Sequence, residues 1–232
     1  MKHIIVDLEM NGVAKEYDND ELKGTTHKEI IEIGAVMLDE EYREIDSFMT
    51  YVKPQLNDVV EYRYTQLTGI TTAMVKDAPV FADAIKAFAD WCASCNDEFK
   101  LYQWSENDRT QIVSEMKMKE HLPKGNEVRL TKEWIDFQKE FSTLLGSSKA
   151  IALEKAMDYA GENFKGRQHD AMSDARNTAE LFIMSRDKEI FKEDLKYIIE
   201  AISAEEAEEE ASAAIGELID FGSIKDMIGD DE

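Results

Sequence analysis

Four acidic side chains, far apart in the sequence, have local settings typical of metal ligands rather than of a solvated surface. They are Asp7, Glu9, Asp108 and Asp174. The first two follow the apolar residues 4–6, which predict a buried strand at residues 2–10. Side chains two residues apart on a strand point to the same face, so the carboxylates of Asp7 and Glu9 would repel each other. A bound cation is the usual compensation for such a pair beside a core strand, so the pattern predicts a metal site.

The last of these acids falls on a predicted helix at residues 170–186. Small and apolar residues recur there at helical spacing, at Ala171, Ala175, Thr178, Ala179, Phe182 and Ile183. Asp170 and Asp174 are four residues apart, so the spacing alone leaves open which of them is a ligand. A helix that begins after Asp170 would use this side chain as its cap, which favours Asp174 as the ligand. His169 would then lie in the loop just before the helix, where its imidazole can turn toward the site.

The remaining elements predict an α/β fold in which Asp108 lies just past the end of a strand. Strands at residues 30–38 and 45–52 would follow the first one in a meander, and a short helix would close at residues 67–71. The elements predicted after them are a helix at 80–93, a strand at 99–104, a helix at 107–119, a short strand or turn at 133–137, and helices at 137–145 and 149–160.

Length and charge limit the class of protein. A chain of 232 residues with 43% hydrophobic residues can bury the core of one main domain, and no segment is long and apolar enough to cross a membrane. The chain begins with a predicted strand and leaves no room for a signal peptide, so we expect a cytoplasmic protein. A net charge of −23 argues against a broad, sequence-independent affinity for nucleic acid. Residues 187–232, with 16 acids and 4 bases, carry about half of this excess.

The acidic C-terminal segment, residues 188–232, has two open interpretations. Its apolar residues alternate with an acidic run at residues 205–210. An amphipathic helix packed on the domain, followed by a mobile acidic end, is the simpler interpretation, because runs of like charge are usually solvated. The alternative is an appendage that docks a protein partner or mimics a nucleic acid.

Cys92 and Cys95 have the spacing of a thioredoxin-type redox pair, but we expect a structural role for them. A redox motif works at the N-terminus of a helix, where the helix dipole stabilises the thiolate. Here the pair would lie at the C-terminal end of the helix predicted at residues 80–93. A zinc site would need four ligands, and the sequence offers no second cysteine pair or matching histidine.

The motifs and their order resemble the DEDDh group of exonucleases, which has a ribonuclease H-like fold with a mixed sheet flanked by helices. The motifs that carry the resemblance are Asp7-Leu8-Glu9, Trp104 followed by Asp108, and Gly166-Arg167-Gln168-His169-Asp170-Ala171-Met172-Ser173-Asp174. Further segments look most like the Eri-type branch, which trims the 3′ ends of structured RNA: Glu32-Ile33-Gly34-Ala35-Val36, Val52-Lys53-Pro54, Leu67-Thr68-Gly69-Ile70-Thr71 and Trp134-Ile135-Asp136. The resemblance predicts an exonuclease domain at residues 1–187, followed by the acidic, partly helical tail at 188–232. The sequence departs from the Eri-type branch at Ser105, where that branch usually has glycine.

The resemblance implies a catalytic site with two divalent metal ions, Mg²⁺ or Mn²⁺, about 4 Å apart. In this chain Asp7, Glu9, Asp108 and Asp174 would hold the ions. His169 would take the proton from the attacking water. Hard cations prefer carboxylate oxygen, which agrees with a set of four acids and no thiol. Each of these side chains alone could be an ordinary surface group or a helix cap, and it is their joint occurrence in the order of the family that favours the site.

Substrate contacts are predicted for Leu8, Met10, Thr68, Trp104 and Arg109. The resemblance implies that Leu8 and Met10 wedge against the terminal base, although packing in the core explains these two side chains nearly as well. Trp104 falls at a strand end, which favours a core anchor beneath the site over a base-stacking platform. The basic side chains around the motifs, Arg109, Lys165, Arg167 and Arg176, either guide phosphate groups or pair with nearby acids.

Together these residues predict an α/β exonuclease that acts from the 3′ end of RNA or single-stranded DNA and releases nucleoside 5′-monophosphates. The alternative, in another functional class, is a non-catalytic protein-binding module that keeps the exonuclease fold and uses the acidic tail for a partner. The complete set of four acids and His169 argues against this alternative.

Overall fold

Five strands form one mixed β-sheet in the computed structural model, which describes residues 1–17 and 23–218. The strands are β1 (Lys2–Gly12), β2 (Lys28–Leu38), β3 (Glu44–Tyr51), β4 (Phe99–Gln103) and β5 (Ile135–Asp136). They lie side by side in the order β3-β2-β1-β4-β5. Strand β2 is antiparallel to β1 and β3, whereas β4 is parallel to β1 and β5. The predicted mixed sheet is confirmed, and the ends of each predicted strand lie within two residues of the observed ends.

Helices flank this sheet, as the α/β prediction requires. In the described part of the chain they are α1 (Tyr62–Thr68), α2 (Thr72–Val75), α3 (Phe81–Ala93), α4 (Asn107–Met118), α5 (Glu127–Leu130), α6 (Phe137–Leu144), α7 (Leu153–Tyr159), α8 (Ala171–Met184), α9 (Lys188–Asp194) and α10 (Lys196–Leu218). The helix predicted from residue 149 begins only at Leu153. The residues before it form a loop, in which the amide of Ser148 and the hydroxyl of Ser147 donate to Glu206 of α10 at 2.8 and 3.1 Å.

Alternate residues of β1 belong to two separate cores. Ile4, Val6 and Leu8 point to one face and pack with buried residues of α3 and α4. Ile5 points to the opposite face and packs with buried residues of α6 and α8. Asp7 and Glu9 continue the face of Ile5, because side chains alternate along a strand. The two acids therefore share a face, as predicted, on the side of the sheet that α8 covers.

The start of α8 comes very close to β2 at Gly34. A Cβ atom at this position would lie 2.3 Å from the carbonyl carbon of Ala171, the first residue of α8. Glycine within a strand commonly marks such a close approach of another backbone segment. The absence of a side chain at residue 34 thus lets α8 bring His169 and Asp174 over the sheet.

The two cysteines lie at the C-terminal end of α3, as predicted. Both are free thiols, and Cys92 is buried in the first core. Burial raises the pKa of the Cys92 thiol, which disfavours the thiolate that a redox motif needs. The geometry therefore agrees with a structural role.

Part of the predicted C-terminal tail packs against the second core. Phe191, Leu195 and Ile202 are buried there together with residues of α6 and α8. The acidic end predicted beyond this segment lies outside the described residues from 219 onward. Within residues 1–17 and 23–218, no helix combines the length and the apolar character needed to span a membrane.

Substitution Gly34→Ala should displace the first turn of α8 and the two side chains that it positions. Because the added Cβ would overlap backbone atoms, we expect a loss of about 1–3 kcal/mol in unfolding free energy, measured by urea denaturation. Displacement of catalytic groups should also lower the kcat of the predicted exonuclease by at least about tenfold.

Gly125→Ala is the matched control for this substitution. No atom lies within 4 Å of a Cβ at Gly125, although its φ of 55° strains an alanine. We expect a loss of about 1 kcal/mol and an unchanged kcat. A Gly34→Ala protein with wild-type kcat would contradict the proposed packing of α8.

Candidate active site

The predicted acids gather where β1 extends beyond β4. The pairing of these two strands ends at Val6 and Gln103, while β1 continues to Gly12. The amide of Leu8 lies beyond that pairing and donates instead to Oδ1 of Asp108, at 3.1 Å. Asp108 lies in the first turn of α4. This hydrogen bond therefore fixes the Asp108 carboxylate against β1, next to the acids of that strand.

The start of α8 supplies the remaining predicted groups. Asp170 caps the helix, since its carboxylate accepts the amide of Ser173 at 2.8 Å. The preference for Asp174 over Asp170 as the ligand thus agrees with the observed cap. His169 has a left-handed backbone, with φ of 59°, and its amide donates to Oδ2 of Asp174 at 3.3 Å. Ligand atoms of Glu9, His169 and Asp174 all lie within 4.8 Å of one another.

These side chains line one open cleft with a volume of about 510 Å³. The cleft contains all five predicted catalytic residues: Asp7, Glu9, Asp108, His169 and Asp174. Its other lining residues are Leu8, Met10, Lys28, Tyr64, Leu67, Trp104, Ser105, Asn107, Gln138, Ala152 and Leu153. No sequence pattern predicted a role for Lys28, Tyr64 or Gln138 in the cleft. Their positions depend on the packing of separate elements, which no local pattern encodes.

Burial and mutual repulsion raise the pKa values of the acids in the cleft. Burial is the main cause of the raised pKa of Glu9, which is about 9. Repulsion from Asp174, Glu32 and Asp108 raises this pKa further. Burial also raises the pKa of Asp7 well above its usual range, with a further contribution from Asp108. The pKa values of Asp108 and Asp174 rise to about 7, again mainly through burial. The amides of Leu8 and His169 oppose these last two shifts.

Glu32 is a buried acid beside the cleft, and the motif that contains it predicted no role for its side chain. It lies opposite Glu9 in the pairing of β1 with β2 and is 1% exposed. Its Oε2 accepts the amide of Ala171 at 3.0 Å, which ties the start of α8 to the sheet. Burial raises the pKa of Glu32 to about 7. A single acid within the otherwise apolar residues 30–38 was the available signal, since an unpaired charge is rarely placed in a core strand.

The donor set of the cleft fits a divalent cation. Oδ1 of Asp174 and Oε1 of Glu32 are buried, and neither has a hydrogen-bond partner among residues 1–17 and 23–218. Buried carboxylate oxygens without a donor are costly unless another group compensates them. Hard cations such as Mg²⁺, Mn²⁺ and Ca²⁺ take oxygen ligands of this kind. Asp7, Glu9, Asp108 and Asp174 are therefore suitable ligands, with His169 beside them.

Comparison with known proteins identifies the family. The sequence model of the RNase_T family, described as "Exonuclease", matches residues 4–182. The chain belongs to the DEDDh 3′–5′ exonuclease family. One relative of this exonuclease is "ERI1 exoribonuclease 2" of Danio rerio, 31% identical over 178 residues that cover 68% of this chain and 31% of that protein. Another is human "3'-5' exoribonuclease 1", 25% identical over 164 residues that cover 67% of this chain and 45% of that protein. The exonuclease thus spans less than half the length of these relatives.

Solved structures show the same fold. The nuclease domain of 3'hExo, described as a DEDDh family member bound to rAMP, has a TM-score of 0.69 and 21% identity, over 82% of this chain and 94% of that one. Escherichia coli exonuclease I in complex with a dT13 oligonucleotide has a TM-score of 0.57 and 14% identity, over 81% of this chain and 41% of that one. The predicted ribonuclease H-like fold is confirmed. Exonucleases of this family generally use divalent metals, in agreement with the donor set of the cleft.

Three of the side chains predicted to touch substrate do line the cleft of the exonuclease. Leu8 is 4% exposed and belongs to the first core, whereas Met10 is only partly buried against it. Trp104 packs against Phe137 and Phe141, with ring centroids 5.7 and 5.6 Å apart. The position of Trp104 agrees with a core anchor beneath the site, and that of Met10 leaves part of its side chain free for a ligand.

Thr68 and Arg109 are not among the residues that line the cleft. Both side chains donate hydrogen bonds to backbone carbonyls. The hydroxyl of Thr68 donates to the carbonyl of Tyr64 at 2.9 Å. The guanidinium of Arg109 donates to the carbonyls of Thr131 and Lys132. Substrate contacts by these two residues stay predictions, and their observed bonds agree better with structural roles.

The other basic side chains near the motifs also have protein partners. Lys165 pairs with Glu180, and Arg176 pairs with Glu44 at 3.3 Å. Arg167 donates to the carbonyls of Gln66 and Leu67, at the end of α1. Ion pairing, one of the two open interpretations, thus accounts for Lys165 and Arg176, whereas Arg167 ties the His169 loop to α1.

Without metal ions, the exonuclease should lose stability as the pH rises. The pKa values of Glu9, Asp108 and Asp174 are about 9, 7 and 7 in the folded protein, against about 4 in an unfolded chain. The folded state therefore binds more protons than the unfolded state at pH values between these limits. The stabilisation that comes from these bound protons is fully present below about pH 4 and is lost as the pH rises through roughly 7 to 9. Urea unfolding in EDTA from pH 5 to 9 measures this decline.

Asp108→Asn should flatten this pH profile, because it removes one of the titrating groups while an amide oxygen can still accept the Leu8 amide. Glu133→Gln, a change at an exposed acid outside the cleft, should leave the profile unchanged. Added Mn²⁺ or Mg²⁺ should restore stability at pH 8, by about 2.7 kcal/mol at a hundredfold excess over Kd. A metal-free profile that rises with pH would show that the pKa values of these acids are not raised in the folded protein.

Ser105→Gly should stabilise the exonuclease without loss of activity. Ser105 has φ of 100°, which glycine adopts far more readily, and this is the position where the Eri-type branch usually has glycine. We expect a gain of about 1 kcal/mol in unfolding free energy. Ser94→Gly is the control, because Ser94 has φ of −64° and glycine there should destabilise the protein by roughly 0.5–1 kcal/mol. Equal effects of the two substitutions in urea denaturation would contradict strain at Ser105.

Proposed function

We propose that this exonuclease hydrolyses the phosphodiester bond at the 3′ end of RNA or single-stranded DNA and releases nucleoside 5′-monophosphates, with two divalent ions, Mg²⁺ or Mn²⁺, as cofactors. The observation that carries the proposal is the convergence of four acids and His169 from separate elements in one cleft. Surface residues collected by chance would not place five such groups together with an unpartnered carboxylate oxygen, Oδ1 of Asp174, among them.

In this proposal the acids of the cleft bind the divalent cations and fix their positions. Asp7 and Glu9 come from β1, Asp108 from α4 and Asp174 from α8, so three elements fix the ligands from three directions. Bound divalent cations would supply a hydroxide near neutral pH and offset the charge on the attacking and leaving oxygens. Because the acids repel phosphate by themselves, we expect no hydrolysis without metal.

His169 is the proposed general base. Its imidazole offers a nitrogen within 4.8 Å of carboxylate oxygens of Glu9 and Asp174. The hydrogen bond from its own amide to Asp174 holds the loop, so the ring stays at the mouth of the cleft. A neutral imidazole has a nitrogen that can take a proton from an attacking water.

The relatives support the polarity and the product class. The human relative is named a 3′-5′ exoribonuclease, and the 3'hExo nuclease domain was solved with rAMP, a nucleoside monophosphate. Exonuclease I of Escherichia coli was solved with a single-stranded DNA oligonucleotide. These names support a 3′ end of RNA or single-stranded DNA as the substrate.

Labelled oligonucleotides test the proposal directly. RNA and DNA strands with either a 3′ or a 5′ label are incubated with Mg²⁺, Mn²⁺ or EDTA, and products are separated by size. With either metal, we expect the 3′ label to be released first as a mononucleotide and the 5′-labelled strand to shorten stepwise. Neither change should occur in EDTA. Release of a 5′-terminal mononucleotide first would refute the polarity. Tight binding of the strands without any cleavage would favour the non-catalytic binding module.

Asp174→Ala should abolish this activity, whereas Asp170→Ala should keep most of it. The first substitution removes a proposed metal ligand and should reduce kcat to less than about 1% of wild type. The second removes only the cap of α8 and should cost about 1 kcal/mol of unfolding free energy. Circular dichroism checks that both proteins are folded. Equal losses of kcat in two folded variants would mean that Asp170 also acts in the cleft.

A further inference from the structure

One lysine lines the cleft beside its acids. Lys28, the first residue of β2, is the only lysine or arginine that lines the cleft in the described part of the chain. It is partly exposed, and its Nζ has no ion pair or hydrogen bond with any residue in 1–17 or 23–218. Lys28 is therefore available to a ligand.

Buried polar side chains of α4 fix the backbone around Lys28. Gln111 donates to the carbonyl of Lys28 at 2.7 Å and accepts the hydroxyl of Thr26 at 2.7 Å. Ser114 accepts the amide of Thr26 at 2.7 Å. Gln111 is 1% exposed and Ser114 is 7% exposed, so these bonds lie in the interior. Lys28 thus begins β2 from an anchored backbone rather than from a free loop.

The residues just after Lys28 are held by the same helix. Glu115 accepts the amide of Ile30 at 2.7 Å, and Lys119 bridges Glu115 and Glu29 at 2.7 and 2.8 Å. Both glutamates are fully buried, and burying charges is costly unless they are paired in this way. The first turn of α4 carries Asp108 and its later turns hold the strand around Lys28. A single helix therefore sets the distance between a proposed metal ligand and the ammonium.

We propose that Lys28 binds the phosphodiester on the 5′ side of the scissile one, and this inference rests on the proposed function. Lys28 pairs with Gly12, three residues beyond Glu9 on β1, which is about 10 Å along the strand. The backbone of Lys28 therefore lies outside the cluster of acids that would hold the scissile group. At a 3′ end, every phosphate other than the scissile one lies on its 5′ side. Lysine acts as a point charge for such a group and contributes affinity without reading sequence.

Two substrates separate this role from a general effect on catalysis. One is a single-stranded oligonucleotide, and the other is the p-nitrophenyl ester of thymidine 5′-monophosphate, which has a scissile phosphodiester but no further phosphate. Lys28→Ala should raise KM for the oligonucleotide about tenfold, with kcat changed less than about twofold. The loss in kcat/KM for the oligonucleotide should exceed the loss for the ester by at least about fivefold. The salt dependence of log KM should also weaken, by about 0.7 per decade of salt concentration.

Matched variants and a modified substrate complete the test. Lys188→Ala removes one exposed positive charge in α9, away from the cleft, and should leave KM unchanged. Lys28→Arg should recover most of the wild-type KM, because the charge is restored. A neutral methylphosphonate at the linkage next to the scissile one should raise KM for the wild type but not for Lys28→Ala. If Lys28→Ala unfolds, Lys28→Gln replaces it, with folding checked by thermal melts.

The outcomes distinguish the two proposals. Equal losses on both substrates, or an unchanged KM and salt dependence, would overturn the role of Lys28. If the wild type cleaves neither substrate, the proposed function fails. Fluorescence anisotropy of a labelled oligonucleotide in Ca²⁺ then tests Lys28 alone, since weaker binding by Lys28→Ala would preserve the phosphate contact. Equal binding by wild type and Lys28→Ala would reject that contact as well.

Discussion

Repulsion among carboxylates at the open end of β1 is the constraint that shapes this exonuclease. Neighbouring carboxylates raise the pKa values of Asp7, Glu9, Asp108 and Asp174 on top of the effect of burial. Folding must therefore bring like charges together against their own electrostatic free energy, and packing elsewhere compensates this cost. The two cores do so from opposite faces of the sheet, because β1 contributes apolar side chains to both. A rigid frame around a repulsive centre is what a cation needs if it is to bind without a rearrangement of the chain.

Two helices hold that frame, and each uses a backbone contact with the sheet. Helix α4 presents Asp108 to the amide of Leu8, and α8 lies against Gly34 while its first amide reaches Glu32. Each contact lies at the end of its helix that carries the proposed ligand. Small shifts at the other end of either helix should therefore change the cleft little. The proposed ligands depend on local bonds between helix starts and strands rather than on the overall tilt of the helices.

The sequence predicted well which acids converge in the cleft, because their signal is local. Asp7 and Glu9 follow a short apolar run, and Asp170 has the position of a cap, so strand and helix periodicity alone place these side chains. Glu32 was missed as a site residue because its role depends on the register that sets it opposite Glu9, which no window of sequence contains. The same applies to Lys28, whose position depends on Gln111, 83 residues away. Helix α7 begins later than predicted because its preceding loop bonds to Glu206, 58 residues away in α10.

The stretch of β1 beyond Val6 has a further consequence for the behaviour of the protein in solution. Strand edges that lack a neighbour can pair with a strand of another molecule, and charged side chains are a common protection against such aggregation. Here the protecting charges are the carboxylates of Asp7 and Glu9, with Asp108 covering the amide of Leu8. The groups assigned to chemistry thus also keep this edge from self-association. Charge-neutralised variants made for crystallisation with nucleic acid would lose part of that protection.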